Sequence, residues 1–165
     1  MRPLRFMTRV AVGLTGALAL GAAASVLQDP LYPTRVLYTH TTSLSGPRST
    51  AALIGRLYAT WLLTSGSVRI VAAVRYGSVA CRLLAALTYV IALAHFYTEV
   101  FWFGTLSLHP AGRLPIIVAS CCLGLLFLDA VSTVILQMRG GKHHPEKSGP
   151  GRGTARSQRP RRLDD

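Results

Sequence analysis

Two residues with acid–base chemistry, His95 and Glu99, lie four positions apart in an otherwise apolar stretch of the chain. On a helix this spacing places both side chains on one face, together with Ala92 and Thr88. One histidine and one glutamate with no cysteine nearby are too few ligands for a metal site. We interpret the stripe as a helix-packing surface, because small and polar residues suit helix–helix contacts in lipid. A proton relay or a catalytic acid–base pair is the alternative.

Three further charged residues, Arg56, Arg69 and Asp129, interrupt apolar segments. A charge at the centre of a membrane span costs about 2.5–3.5 kcal/mol on insertion scales, so each charge needs a partner or a path to the headgroups. Counting along antiparallel spans places Arg56 and Glu99 at matching depth near one membrane edge. The same counting places Arg69 and Asp129 within about one turn of each other near the other edge. We therefore predict the ion pairs Arg56–Glu99 and Arg69–Asp129, with snorkelling of the arginines as the alternative.

Four long apolar segments must position these side chains. The chain has 165 residues, half of them apolar, and a formal net charge of +12. A helix needs roughly 20 mostly apolar residues to cross a hydrocarbon core of about 30 Å. The segments that satisfy this requirement are residues 10–27, 53–74, 83–103 and 114–138. They predict an all-α fold, a bundle of four transmembrane helices within a membrane domain over 1–139, and they exclude a soluble α/β enzyme or an all-β domain.

The first apolar segment has a second interpretation. Three arginines precede it, and it ends in Ala22-Ala23-Ala24-Ser25, so it could be a cleavable signal peptide. Residues 10–27 form an uncharged run of 18 residues, whereas the apolar region of a signal peptide usually has about 7–15. We therefore expect a retained membrane span.

Basic residues predict how the bundle is oriented. Thirteen lysines and arginines lie on the side that carries both termini and three lie on the opposite side, which places both termini in the cytosol. Residues 140–165 are rich in Gly, Pro and Arg, and we predict a disordered basic tail there. The tail has no aromatic residue for base stacking, so we expect membrane lipid rather than nucleic acid as its counter-charge.

The connections on the opposite side also carry local signals. Residues 29–50 form the longest connection, which we expect at the headgroup level, and His109-Pro110-Ala111-Gly112 is predicted to be a tight turn. In the second span, Trp61 and Arg69 share one face, and Gly66 would permit a close helix approach.

No set of residues in the sequence matches a known catalytic or metal-binding motif. Cys81, Cys121 and Cys122 have neither zinc spacing nor a disulfide framework. The chain also has no G-x-S-x-G, no H-E-x-x-H and no Gly-rich phosphate loop before a helix. We therefore expect no cofactor, no metal site and no enzymatic activity.

Two runs in the second and third spans resemble a known family. Residues 56–69, RLYATWLLTSGSVR, and residues 88–99, TYVIALAHFYTE, followed by Phe103-Gly104-Thr105, closely resemble the corresponding spans of the ergosterol biosynthetic protein 28 family. Weaker agreement at the end of span 1 and the start of span 4 extends the resemblance over roughly residues 10–128.

The resemblance implies a four-span membrane protein of the endoplasmic reticulum with no catalytic activity of its own. The family tethers the enzymes of sterol C-4 demethylation. The implied partners are the sterol C-4 methyl oxidase, the decarboxylating sterol C-4 dehydrogenase and the 3-keto sterol reductase. We expect five residues to organise the partner-binding surface or to hold the bundle together: Arg56, Trp61, Arg69, His95 and Glu99.

The sequence also departs from the family pattern and leaves alternatives open. It has no Asn and only a short Asp29-Pro30 after Gln28, and Asp129 and the basic tail fall outside the shared pattern. A small proton-coupled transporter, or a membrane enzyme such as a sterol isomerase, would use Glu99 and His95 as its titrating pair. Whether the chain forms a homo-oligomer is left open.

Overall fold

The described part of the chain folds into four long helices and one short helix. A computed structural model describes residues 3–38 and 48–140. The long helices are α1 (Pro3–Gln28), α3 (Arg48–Val74), α4 (Val79–Phe101) and α5 (Pro110–Gly140), and the short helix α2 (Tyr32–Val36) follows α1. Each long helix is long and apolar enough to cross a membrane. The described residues contain no strand, and the predicted all-α bundle of four spans is confirmed.

The four long helices pack in a closed ring. Helix α1 contacts α3, α3 contacts α4, α4 contacts α5, and α5 returns to α1, with the most extensive contact between α1 and α3. Because the chain crosses the bundle four times, Pro3 and Gly140 lie at one end, which we call the terminal end. The α3–α4 turn also lies there. The opposite end, called the loop end, carries α2 and the α4–α5 connection.

Small residues fill the interior and large apolar residues cover the outside. Among the residues that the structure describes, seven of the fifteen buried apolar residues are alanine, and the most exposed large side chains include Trp102 at 84% and Phe101 at 75%. A soluble protein would bury such side chains, whereas lipid solvates them. This inverted distribution is what a membrane-embedded bundle requires.

Two glycines, Gly16 of α1 and Gly66 of α3, lie against each other at the α1–α3 interface. A Cβ atom added at Gly16 would lie 3.0 Å from the Gly66 carbonyl oxygen and 3.1 Å from the Arg69 Cβ. The two helix backbones therefore touch at this point, and Gly66 permits the close approach that the sequence predicts. Since α1 contributes a full helix–helix interface, it packs as an integral span of the bundle.

Local capping sets where α4 and α5 begin. Ser78 caps α4, its hydroxyl accepting a hydrogen bond from the Cys81 backbone N–H, so α4 starts at Val79 rather than at residue 83. Helix α5 starts at Pro110, whose fixed φ and missing N–H suit a first helical position. The predicted tight turn over residues 109–112 is therefore wrong. The chain turns instead within residues 102–109, where Gly104 has a φ of +62°.

Two predictions fall wholly or partly outside the described residues. The disordered tail was predicted for 140–165, of which only Gly140 is described, as the last residue of α5. Of the connection 29–50, the described part, 29–38 and 48–50, contains α2 and the first turn of α3. There Arg35 of α2 pairs with Asp29, which follows α1.

Substitution of Gly16 tests the α1–α3 contact. We expect Gly16→Val to lower the free energy of unfolding by about 1–3 kcal/mol, because the new side chain meets backbone and Arg69 with no room to move. Gly21→Val on the same helix is the control, since a Cβ atom there meets nothing within 4 Å. The measurement is unfolding in detergent with both variants under the same conditions. Equal losses in the two variants would contradict the contact.

Candidate functional site

The central polar cluster of the bundle is built around Tyr89 of α4, which is fully buried. Its hydroxyl shares a hydrogen bond with Thr15 of α1, and the Arg69 guanidinium of α3 lies 4.2 Å from the centre of its ring. Arg69 Nε also donates to Thr88 Oγ1 at 3.0 Å. Cys122 of α5 is close enough to interact electrostatically with the same side chains. All four spanning helices therefore meet at Tyr89.

Arg69 is stabilised here without a carboxylate. Its side chain is buried, and among the described residues no Asp or Glu lies within ion-pair distance of it. The face of an aromatic ring attracts a guanidinium, and a desolvated contact of this kind is worth about 2 kcal/mol or more. The predicted Arg69–Asp129 ion pair is wrong, and Arg69 does not snorkel either.

A second polar cluster at the terminal end holds Asp129. Asp129 is 2% exposed, Arg82 Nη1 lies 3.3 Å from its Oδ2, and the Tyr76 hydroxyl donates to the same oxygen at 3.1 Å. The Tyr76 ring is approached by two guanidinium carbons, that of Arg82 at 5.7 Å and that of Arg5 at 5.9 Å from the ring centre. Asp129 thus takes its partner from the first turns of α4 rather than from α3.

The position of Arg82 explains why sequence analysis missed this pair. The apolar segment begins at residue 83, so the sequence pattern places Arg82 in the preceding loop. The cap at Ser78 extends α4 by four residues and carries Arg82 into the helix, facing α5. A serine two residues after Tyr76 in a turn was the available signal, because serine is a favoured N-cap.

Burial and the neighbouring Asp129 carboxylate together raise the pKa of Tyr76 to about 12. Both effects disfavour the phenolate, since it would lose solvation and meet a like charge. The Tyr76 hydroxyl therefore remains protonated and serves as a hydrogen-bond donor to Asp129.

A third cluster at the loop end contains His95 and Glu99. Tyr38 and His95 Nε2 share a hydrogen bond of 2.8 Å, and His95 Nδ1 lies 3.9 Å from Glu99 Oε1. Burial holds the pKa of Tyr38 above its ordinary value. The Thr105 hydroxyl donates to Glu99 Oε2, and the Thr105 backbone N–H donates to the Glu99 carbonyl oxygen at 3.0 Å. Glu99 therefore fixes the α4–α5 connection onto the end of α4.

Arg56 does not join this cluster, and the predicted Arg56–Glu99 ion pair is wrong. Its side chain is exposed, and no acidic group in the described part of the chain pairs with it. Arg56 lies at the depth of Glu99 but points away from the interior. It stands thirteen residues before Arg69 on α3, so the two side chains leave the helix in directions about 140° apart, and Arg69 is the one that points inward. Trp61 is partly buried on the same side of α3 as Arg69, as their spacing predicts.

Four of the five predicted site residues are therefore divided among three places, and the fifth, Trp61, is partly buried on the Arg69 side of α3. His95 and Glu99 share the loop-end cluster, Arg69 belongs to the central cluster, and Arg56 is on the outside. Within the described ranges, no group of three His, Cys, Asp or Glu side chains could hold a metal ion. Tyr89, which connects the helices, was not singled out, although it stands within the run 88–99 that carries the family resemblance.

These features define a helical membrane protein whose interior polar groups hold its four spans together. A protein-family model described as Erg28 like protein matches residues 9–124. The match covers well over half of the chain, and the chain belongs to this family. The matched range, residues 9–124, includes the whole central cluster but ends before Asp129. None of the curated proteins or solved structures compared shows a significant match.

Exchange of the two charges at the terminal end tests their pairing. We expect Arg82→Asp and Asp129→Arg each to lower the free energy of unfolding by about 3 kcal/mol, because each leaves like charges together in a buried site. The double variant should recover at least half of that loss. Arg75→Asp, in the exposed turn beside the pair, is the control and should change little. No recovery in the double variant, measured by unfolding in detergent, would count against the pair.

The pKa of Tyr76 predicts a pH dependence at the alkaline end. The pKa in the bundle, about 12, exceeds the ordinary value of 10.0, so the native state holds this proton more tightly than the unfolded state does. The stabilisation is present in full below pH 10 and is lost as the pH rises towards 12. The ultraviolet difference titration between wild type and Tyr76→Phe should show one phenolate forming near pH 12. A difference curve centred near pH 10 would contradict the burial of this hydroxyl.

Proposed function

We propose that this protein is a non-enzymatic scaffold that holds the enzymes of sterol C-4 demethylation together in the endoplasmic reticulum membrane. Membership of the Erg28-like family carries this proposal. The contacts of the buried charged groups support it, since Arg69, Asp129 and Glu99 are all engaged in joining helices and connections. Charged groups that are engaged in this way hold the helices of the bundle in fixed relative positions.

The partners that follow from the proposal are the sterol C-4 methyl oxidase, the decarboxylating sterol C-4 dehydrogenase and the 3-keto sterol reductase. Lipid solvates apolar side chains as well as a partner helix would, so recognition in the membrane depends on small residues and polar contacts. A partner-binding surface should therefore present polar side chains outward from the bundle.

The outer face of α3 has this character. Arg56, Thr60, Thr64 and Ser67 are all exposed, and their spacing of four, four and three residues places them on one side of the helix. The Thr60 and Thr64 hydroxyls donate to carbonyl oxygens one turn earlier, at 3.0 and 2.9 Å. Their protons are thus satisfied in lipid, while each hydroxyl oxygen can still accept a hydrogen bond from a neighbouring span. We assign partner binding to this α3 outer face.

The five residues selected from the sequence take different parts in this proposal. Arg56 is the candidate for direct contact with a partner, because its side chain reaches outward without an acidic neighbour in the described residues. Arg69, His95 and Glu99 hold the bundle in shape, and the partly buried Trp61 borders the same interior.

The distribution of charge supports cytosolic termini. In the described residues, the terminal end carries five arginines (Arg5, Arg9, Arg75, Arg82 and Arg139) against the single acid Asp129. The loop end has a smaller excess of basic residues in the described part of the chain, with Arg35, Arg48, Arg56 and Arg113 against Asp29 and Glu99, and Arg35 there pairs with Asp29. Cytosolic sides of membrane proteins carry the excess of basic residues, so the terminal end is the side that we propose to face the cytosol.

A proton-coupled transporter remains the alternative, with His95 and Glu99 as the titrating groups. The contacts of Glu99 favour the scaffold over it. Both Glu99 Oε2 and the Glu99 carbonyl oxygen accept hydrogen bonds from Thr105, which places the row of Tyr38, His95 and Glu99 against the connection at one end of the bundle.

Co-purification from cells tests the scaffold. Tagged wild-type protein extracted in mild detergent should bring down the three sterol enzymes. The variant Thr60→Leu/Thr64→Leu combined with Arg56→Leu should reduce their recovery on the order of tenfold, because each interhelical polar contact contributes about 0.6 kcal/mol. The thermal midpoint of this variant should match that of wild type, since its changes are on the outside.

Thr98→Leu is the matched control for this experiment. Thr98 is an exposed threonine on α4 whose hydroxyl also donates to its own helix, at 2.8 Å to the His95 carbonyl oxygen. Failure of wild type to recover any sterol enzyme would overturn the proposed function. Equal losses in Thr98→Leu and in the α3 variant would instead remove the α3 outer face as the binding surface.

A further inference from the structure

An open groove with a volume of about 640 Å³ lies at the terminal end of the bundle. One wall is the first turns of α1 and the opposite wall is the last turns of α5, with the α3–α4 turn as its floor. The Asp129 cluster lies at the base of the groove, and neither the family resemblance nor the proposed partner surface accounts for the space above it.

The groove carries unneutralised positive charge. Arg5 and Arg9 of α1 line it, and no acid in the described part of the chain pairs with either. Asp129, the one carboxylate among the described residues that line the groove, is already held by Arg82 and Tyr76. Five arginines and one aspartate at this end leave a formal net charge of +4 in the described residues.

Two contacts fix where the free guanidinium groups lie. Arg9 Nε donates to the Ala73 carbonyl oxygen at 2.8 Å, which anchors the side chain across to α3 and leaves its terminal nitrogens available. The Arg5 guanidinium is held against the Tyr76 ring, 5.9 Å from its centre. Two arginines one helical turn apart on α1 therefore face the same opening.

The flanks of the groove are apolar. Phe6 is 58% exposed, Val74 is 69% exposed, and Leu136 of α5 lines the other wall. A site with two arginines at its polar end and exposed apolar walls beside them matches an amphiphile with an anionic head and acyl chains. A free anion would use only the two arginines and would leave the apolar walls without a ligand.

We propose that this groove binds an anionic phospholipid, with its phosphate on Arg5 and Arg9 and its acyl chains along Phe6, Val74 and Leu136. Guanidinium groups bind phosphate oxygens in a bidentate manner, which makes arginine the suited residue at this place. Basic pockets between spans are known places for lipid headgroups. The exposed amide of Gln137 on α5 adds a donor on the opposite wall.

A lipid in this groove would join α1 to α5. The α1–α5 interface is much smaller than the α1–α3 interface, so the ring of helices has less contact to hold it closed there. The bound lipid would supply contacts to both helices at once, and the bundle should be more resistant to heat when it is present.

The test measures lipid binding to the full chain in neutral detergent by native mass spectrometry. Phosphatidylserine should bind at least about tenfold more tightly than phosphatidylcholine, as expected when two arginines contact an anionic lipid. Arg5→Gln and Arg9→Gln should each weaken phosphatidylserine binding about fivefold. The matched control is Arg75→Gln, which removes an exposed arginine at the same end that does not line the groove, and it should change binding less than about twofold.

Location is tested independently on the unaltered protein. Phosphatidylserine with a photoreactive acyl chain should attach to the peptides that contain Phe6 and Leu136. Attachment confined to other helices would overturn the site, whatever the variants show, and so would equal weakening by Arg75→Gln and Arg5→Gln.

Two further outcomes would replace the proposed ligand. Complete displacement of phosphatidylserine by inorganic phosphate at millimolar concentration would identify a free anion as the ligand. If the purified chain carries an acidic protein segment attached to the same α1 and α5 peptides, the ligand of the groove is a protein instead. Retention of phosphatidylserine in excess phosphate, with labelling of both walls, supports the lipid.

Discussion

The contact between the Arg69 guanidinium and the buried ring of Tyr89 is the interaction on which the rest of the bundle depends. A cation in the interior of a membrane protein is costly, and this one is offset by the ring face and by the Thr88 hydroxyl. Because Tyr89 also reaches Thr15 and lies beside Cys122, one side chain fixes the relative rotation of all four spans. Small residues around it, such as the touching pair Gly16 and Gly66, let the helices come close enough for these contacts.

A carboxylate makes polar contacts at each end of the bundle, but the two carboxylates connect different parts of the structure. At the terminal end, Asp129 joins α5 to α4 through Arg82 and to the α3–α4 turn through Tyr76, and this leaves other arginines free to face the groove. At the loop end, Glu99 joins α4 to its own following connection. Polar groups inside the bundle are thus engaged with one another, and the outer face of α3 and the terminal groove are left as the surfaces that can meet other molecules. A fixed shape of this kind is what the proposed scaffold requires.

The hydropathy of the sequence determined which segments form spanning helices, because the bilayer acts as a solvent with a fixed thickness. Long apolar segments predicted four spans, and the run 88–99 with its counterpart at 56–69 indicated the family that the match over 9–124 then showed. Helix ends were less predictable: α4 begins at Val79 and α5 at Pro110, each four residues before its predicted start, since caps and proline geometry extend helices beyond the apolar segment.

The sequence by itself determined which residues cross the membrane and which polar groups must be neutralised there, because both follow from the cost of transfer into lipid. Only the tertiary structure decided which groups neutralise one another. Counting along a helix gives depth, but direction depends on the rotation of each helix about its axis, so Arg56 at the depth of Glu99 points outward. The partner of Asp129 was decided by the cap at Ser78, which carries Arg82 into α4. Packing of all four helices around one aromatic ring sets those rotations, and no single segment contains that information.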